Sequence, residues 1–213
     1  PETVRAEEAE ALLRACRCWR DRFLVVMLWF CGLRIGEALG LRRSDLHLVP
    51  SAAALGCSIP GPHLHVVRRA NANGASAKTG DRHVPVRSEV LSCYERYLSE
   101  REACPEAEGC DFVLVNLFHD PRGRPMTDDT VRQWMAVTSA RAGLVRALRP
   151  HMFRHATATE LLARGANLDV VKELLGHASI RSTEAYMHPA AATLRAAVDG
   201  LGPLRFGPSG EQQ

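Results

Sequence analysis

A chain of 213 residues, 46% of them hydrophobic, can bury one sizeable core or at most two small ones. Its formal charge of +3 permits nucleic-acid binding without arguing for it. The longest apolar stretch, Phe23 to Leu33, is too short to span a bilayer, and no signal peptide precedes it.

The seven cysteines are odd in number and form no CxxC pair, which speaks against a disulfide scaffold or a zinc site. Nine histidines include no HExxH, so a metal enzyme is not favoured either. A reduced cytoplasmic protein with free thiols is the expectation. The 27 basic residues divide into 25 arginines and two lysines, Lys78 and Lys172, so each lysine draws notice. The chain opens on Pro1 and enters a helix almost at once. A piece of a longer protein is expected, with an upstream domain missing.

In chain order, Thr3 with Glu7 and Glu8 marks a helix start, and apolar spacing runs through Leu12 and Leu13. Asp21 opens a second helix, FLVVMLWFCGL, expected to carry straight on through Arg34, Glu37 and Leu39. Short β-rich runs follow at Leu46–Val49, Leu64–Val67 and His83–Val86, separated by turn residues, with 50–62 as a loop insertion. Ser88 begins an amphipathic helix and Thr127 caps another through Ala142. Pro150 suits the first turn of a helix that stops at Gly165. Asn167 caps the next, which ends at Gly176, and Ser179 caps one more carrying Tyr186 and closed by Pro189. From Leu194 the tail is briefly helical and then Gly/Pro-rich. The fold class expected is α+β, mainly α, with a small three-stranded antiparallel sheet.

The C-terminal third carries chemistry. His151, Arg154 and His155 stand at i, i+3 and i+4, sharing one face at the N-terminal end of a helix, where backbone N–H groups and the dipole favour an anion. Past the next helix comes His177, and nine residues later Tyr186. Cleaving a phosphodiester without a metal needs fixed cationic donors, for which arginine's planar fork is suited, a nucleophile, and an acid for the leaving oxygen. Each residue has an ordinary reading as well: Tyr186 as a helix contact, Arg34 paired with Glu37, Lys78 as a solvated charge, His177 as a helix-end partner. Tyr94 and Tyr97, spaced i, i+3, read as packing residues, and Lys172 as surface. Arg42, Arg43, Arg68, Arg69, Arg82 and Arg181 could be solvated charges or a phosphate-backbone track.

Taken together, GLRIGEALGL at 32–41, AKTG at 77–80, HMFRHATATELL at 151–162 and LLGHASIRSTEAYMH at 174–188 resemble the catalytic domain of the tyrosine recombinase (phage integrase, Xer-like) family. The similarity runs from about Thr3 to His188. It implies a catalytic domain over 1–188, a tail over 189–213, and an absent N-terminal DNA-clamping domain. It implies catalytic roles for Arg34, Lys78, His151, Arg154, His177 and Tyr186. Tyr186 would attack the scissile phosphate to form a 3′-phosphotyrosyl link, with Arg34 and Arg154 clamping the non-bridging oxygens. Lys78 would protonate the leaving 5′-oxygen, His151 would assist proton transfer at the tyrosine, and His177 would hydrogen-bond the phosphate. No cofactor and no metal is expected.

Double-stranded DNA is the implied partner, with a tetramer on two duplexes for a full-length protein, and a monomer open to the isolated domain. The location implied is cytoplasmic and nucleoid-associated. The gap from Arg34 to Lys78 is longer than is usual in the family, and the 50–62 insertion accounts for it. Two alternatives stand beside this reading: a type IB topoisomerase-like enzyme, and a non-catalytic helix-turn-helix module built on TELLARGANLDVVKELLGH.

Overall fold

The second helix is apolar on every side, and such a helix has to be surrounded. In the computed structural model, which describes residues 2–78, 80–176 and 191–205, it is. Helix α2 (Trp19–Cys31) buries all but two of its 13 residues, packing chiefly against α4 (Ser88–Glu102) and α6 (Pro150–Ala163). Helix α1 (Ala6–Ala15) lies against α2 and α5 (Asp128–Arg141). Arg20 and Asp21 stay buried in α2 as an ion pair at 2.7 Å, which is how charges survive in such a helix. Tyr97 of α4 is wholly buried, donating to the Val113 carbonyl at 2.7 Å and accepting from the Val115 N–H at 3.3 Å.

The continuous helix expected through Arg34 and Leu39 is instead two helices. Gly32 has φ +58°, left-handed, and ends α2. A Cβ there would lie 2.5 Å from a Leu175 methyl and 3.3 Å from Thr157. A new short helix, α3 (Ile35–Gly40), starts in a different direction with Arg34 as its N-cap. Arg34 therefore stands at a helix mouth. Three further capping expectations hold: the Thr127 hydroxyl accepts from the Thr130 N–H, the Asn167 amide oxygen accepts from the Asp169 N–H, and Pro150 opens α6. The first helix starts later than expected, at Ala6, and the second earlier, at Trp19.

The three-stranded antiparallel sheet is present, in the order β1 (Leu46–His47), β2 (His63–Val66), β3 (Arg82–Pro85). Its register sets Leu46 opposite Leu64 and Leu64 opposite Val84, while His47 faces His63 and His65 faces His83. Because strand side chains alternate, leucines and valines cover one face and histidines the other. Strand β1 has only two residues, shorter than the Leu46–Val49 run suggested.

Helix α7 (Leu168–Leu175) buries Val170, Val171, Leu174 and Leu175 and ends at Gly176. The segment from 177 to 190, with the expected Tyr186 helix, lies outside the described residues. Helix α8 (Ala191–Asp199) packs on α7 and β3 through buried Leu194 and Val198, and Arg195 donates to the carbonyls of Val86 and Pro62. No helix among the described residues is long and apolar enough to cross a membrane.

Candidate active site

Glu37 is the centre from which the site is built. Its side chain has no solvent exposure, and three arginines from three parts of the chain converge on it. Arg34, its neighbour one turn back, reaches Glu37 Oε1 at 3.0 Å. Arg82 of β3 pairs with both oxygens, at 3.1 and 2.9 Å. Arg154 of α6 stands 3.8 Å from Oε2. Burial pushes the Glu37 carboxyl up, but Arg82's hydrogen bonds and charge, the Arg34 N–H and the charge of Arg154 outweigh it and hold the group below its ordinary value.

Backbone carbonyls complete the frame. Arg154 donates to the Gly32 carbonyl at 2.8 Å and to the Leu175 carbonyl; Arg34 donates to the Gly176 carbonyl at 3.3 Å; Arg82 donates to the Leu174 carbonyl at 2.9 Å. The last turn of α7 thus lends three consecutive carbonyls to three guanidiniums. Those carbonyls have no intrahelical partners, and the negative end of the helix dipole faces cations. Burial, with the charges of Arg34 and Arg82 set against that of Glu37, pushes Arg154 down from 12.5 to about 9. It still carries its proton at neutral pH. Of the three, Arg34 keeps the most open side chain, at 30% exposure against 10% for Arg154 and 5% for Arg82.

Lys78 is exposed on the loop between β2 and β3. That loop is pinned to α3: Asn73 donates to the carbonyls of Leu39 and Met126, and Ser76 lies against Gly36, where a Cβ would come within 2.7 Å of the Ser76 oxygen. Ser76 is two residues from Lys78, and Gly36 two from Arg34. His151 and His155 lie exposed at the start of α6, their rings 6.3 Å apart and edge to face. His177 and Tyr186 fall outside the described residues. Of the six expected site residues, then, Arg34 and Arg154 meet through Glu37, Lys78 rides on a loop fastened beside them, and His151 is one helical turn from Arg154.

The phage integrase family model matches residues 2–193. The chain belongs to the phage integrase family.

Among curated relatives, this family member is 36% identical over 184 residues to the tyrosine recombinase XerC of Methylobacterium sp., covering 86% of this chain and 50% of that one. It is 35% identical over 194 residues to XerC of Rhodospirillum centenum, covering 87% and 50%. With XerD of Chlorobaculum tepidum the identity is 33% over 170 residues, covering 79% and 48%. The chain spans about half the length of these relatives. Among solved structures, XerA recombinase superposes with a TM-score of 0.66 at 26% identity, over 92% of this chain and 63% of that one. XerH bound to its difH substrate before cleavage superposes with a TM-score of 0.59 at 26% identity, over 92% and 50%.

In this integrase-family domain Arg82 is neither a solvated charge nor part of a phosphate track, but a buried partner of Glu37. A signal existed: in the run RHVP it alternates with His83, so it shares the inward face with Val84. Other members of the suggested phosphate track are also committed within the protein. Arg69 pairs with Asp45 through two bonds of 2.8 Å, and Arg42 bonds Asp111 and Asn71 and stacks on Phe112. Arg43 and Arg68 remain exposed, and Arg181 lies outside the described residues. Lys172 pairs with Asp169 on the surface of α7.

Proposed function

We propose that this chain is the catalytic domain of a site-specific DNA recombinase, cleaving and rejoining strands through a 3′-phosphotyrosyl intermediate at Tyr186. The observation that carries the reading is the cluster at Glu37. Three guanidiniums are fixed around one buried carboxylate, and Arg34 is the most open of them. Cationic donors held in place in this way suit an anion with two free oxygens. A phosphodiester in its transition state is such an anion.

In this reading Arg34 and Arg154 hold the non-bridging oxygens, with Glu37 and Arg82 positioning them. The Tyr186 oxygen bonds to phosphorus as the bond to the 5′-oxygen breaks. His151 assists removal of the tyrosine proton, Lys78 supplies a proton to the departing 5′-oxygen, and His177 donates to the phosphate. A second 5′-hydroxyl then attacks the phosphotyrosyl link, restoring both the phosphodiester and the tyrosine. The bond energy is kept throughout, so no nucleotide is consumed.

The other tyrosines support Tyr186 by being otherwise engaged. Tyr94 and Tyr97 pack around Phe23 at 5.2 and 5.7 Å between ring centroids, and burial pushes the Tyr97 hydroxyl up, away from ionisation. The same reading gives residues 1–188 as the catalytic domain and 189–213 as a tail. It gives double-stranded DNA in the nucleoid as the partner, and a tetramer on two duplexes for a full-length protein. XerH, bound to difH in its solved complex, is the precedent for a DNA partner.

A nicked suicide duplex, whose released fragment diffuses away, tests the proposal. The protein is expected to become covalently attached to DNA, and Tyr186→Phe to leave none attached. Replacing Arg154 by Gln is expected to slow trapping by about 10²–10³-fold, the loss typical of a removed transition-state donor. Attachment that persists in the Phe variant overturns the assignment of the nucleophile.

A further inference from the structure

The outward face of the sheet carries a cluster that strand transfer leaves unused. The register puts His47 opposite His63 and His65 opposite His83, so four histidines project from the side away from Leu64, Val84 and Arg82. The connection after β1 folds back over them and brings in Cys57. Its sulfur lies 3.4 Å from His63 Nε2 and 3.6 Å from His65 Nε2, and those two nitrogens are 3.1 Å apart. One ligand-type atom each from His47, Cys57, His63 and His65 falls within 4.8 Å of the others.

The three spacings among Cys57, His63 and His65 match edges of a coordination tetrahedron. With zinc–nitrogen bonds of about 2.0–2.1 Å and a zinc–sulfur bond of about 2.3 Å, tetrahedral geometry puts nitrogens about 3.3 Å apart and nitrogen and sulfur about 3.6 Å apart. The protonation pattern agrees. His63 Nδ1 lies 2.7 Å from the Gly61 carbonyl, an acceptor, so Nδ1 carries the hydrogen and Nε2 offers its lone pair inward. A carbonyl holding the far nitrogen is the usual outer support of a metal-binding histidine. His47 Nδ1 is buried with no hydrogen-bond partner, a polar atom in need of one.

We propose that His47, Cys57, His63 and His65 form a structural site for a zinc-class divalent metal. On binding, the Cys57 thiol releases its proton to solvent and the thiolate bonds the metal, while the three imidazoles bind neutral. Four protein ligands close the coordination sphere, leaving no position for a substrate, so the role is structural. The metal ties the two-residue β1 and the loop after it to β2. Arg82 leaves the sheet on the other face, so the metal and the arginine cluster stand on opposite sides. Motif spacing could not show this site, because its ligands sit at 47, 57, 63 and 65 and meet only through strand pairing and loop return.

The test uses the chain without a histidine tag, stripped with chelator and titrated with Co²⁺. One equivalent is expected to give thiolate-to-cobalt charge-transfer absorption and the visible bands of tetrahedral cobalt, both displaced by Zn²⁺. Cys57→Ser is expected to lose the charge-transfer absorption, His65→Ala to bind at least about tenfold more weakly, and Cys110→Ser to behave as the parent. At free zinc about a hundred times the dissociation constant, the melting temperature of the parent should rise by roughly 5–10 °C. Cys57→Ser, melting with the parent in chelator, should gain far less. Absence of charge transfer in the parent, or parental affinity in Cys57→Ser, overturns the proposal. These readouts involve no DNA, so they stand or fall apart from strand transfer.

Discussion

The arginine geometry depends on the buried Glu37 carboxylate. Replacing it by Gln keeps the shape and removes the only negative charge of the four-residue cluster, leaving three buried or half-buried cations facing one another. The loss expected is about 3–5 kcal/mol, read by denaturant melts. Its pH signature follows from sign. The folded carboxyl lies below its ordinary 4.5, so its contribution is whole above that value and is lost as pH falls through the lower folded value. Stability of the parent should fall with acidification in that window more steeply than stability of Glu37→Gln. Tyr97 makes a second case. Tyr97→Phe leaves the buried Val113 carbonyl and Val115 N–H without their partner, at a cost of about 1–3 kcal/mol.

At the scale of elements, the site depends on how closely backbones approach. Ser76 of the Lys78 loop rests on α3 where Gly36 has no side chain. Gly36→Ala puts a methyl group into backbone that cannot turn aside as a side-chain tip could. The loop should lift; if Lys78 acts as proposed, trapping of suicide DNA slows by about tenfold or more, since small misplacements of a proton donor are expensive. Helix α3 itself should tolerate the change, because alanine favours helix. A hydrogen-exchange measurement should then find added exchange in 71–78 and little elsewhere. The helix-turn-helix look of α6 and α7 has a structural explanation at this scale too: α7 is positioned to present its C-terminal carbonyls to Arg34, Arg82 and Arg154.

For the whole molecule, 25 arginines overstate the cationic surface. Arg69, Arg82 and Arg154 are committed to internal carboxylates and carbonyls, whereas Arg43 and Arg68 are exposed. If the exposed pair contacts phosphates, the double variant Arg43→Gln/Arg68→Gln should lower the salt slope of DNA affinity by about 1.8, at roughly 0.9 per phosphate contact. Arg69→Gln should instead mainly lower thermal stability, by unpairing buried Asp45. Affinity measured across a salt series, beside melting curves, separates the two outcomes.

The sequence by itself determined the main element types among the described residues, the capping residues at Thr127, Pro150 and Asn167, the burial of the second helix, and the ordered signature from Arg34 onward. All of these rest on local chemistry or on periodicity, which a linear reading contains. Only the tertiary structure decided that Gly32 breaks the long helix, since the crowding comes from Leu175 and Thr157, far along the chain. It decided that Arg82 turns inward to Glu37, because whether a cation is solvated depends on what the opposite strand face meets. And it gathered His47, Cys57, His63 and His65 at one point, since cross-strand register and the return of a loop are set by packing and leave no fixed spacing in the sequence.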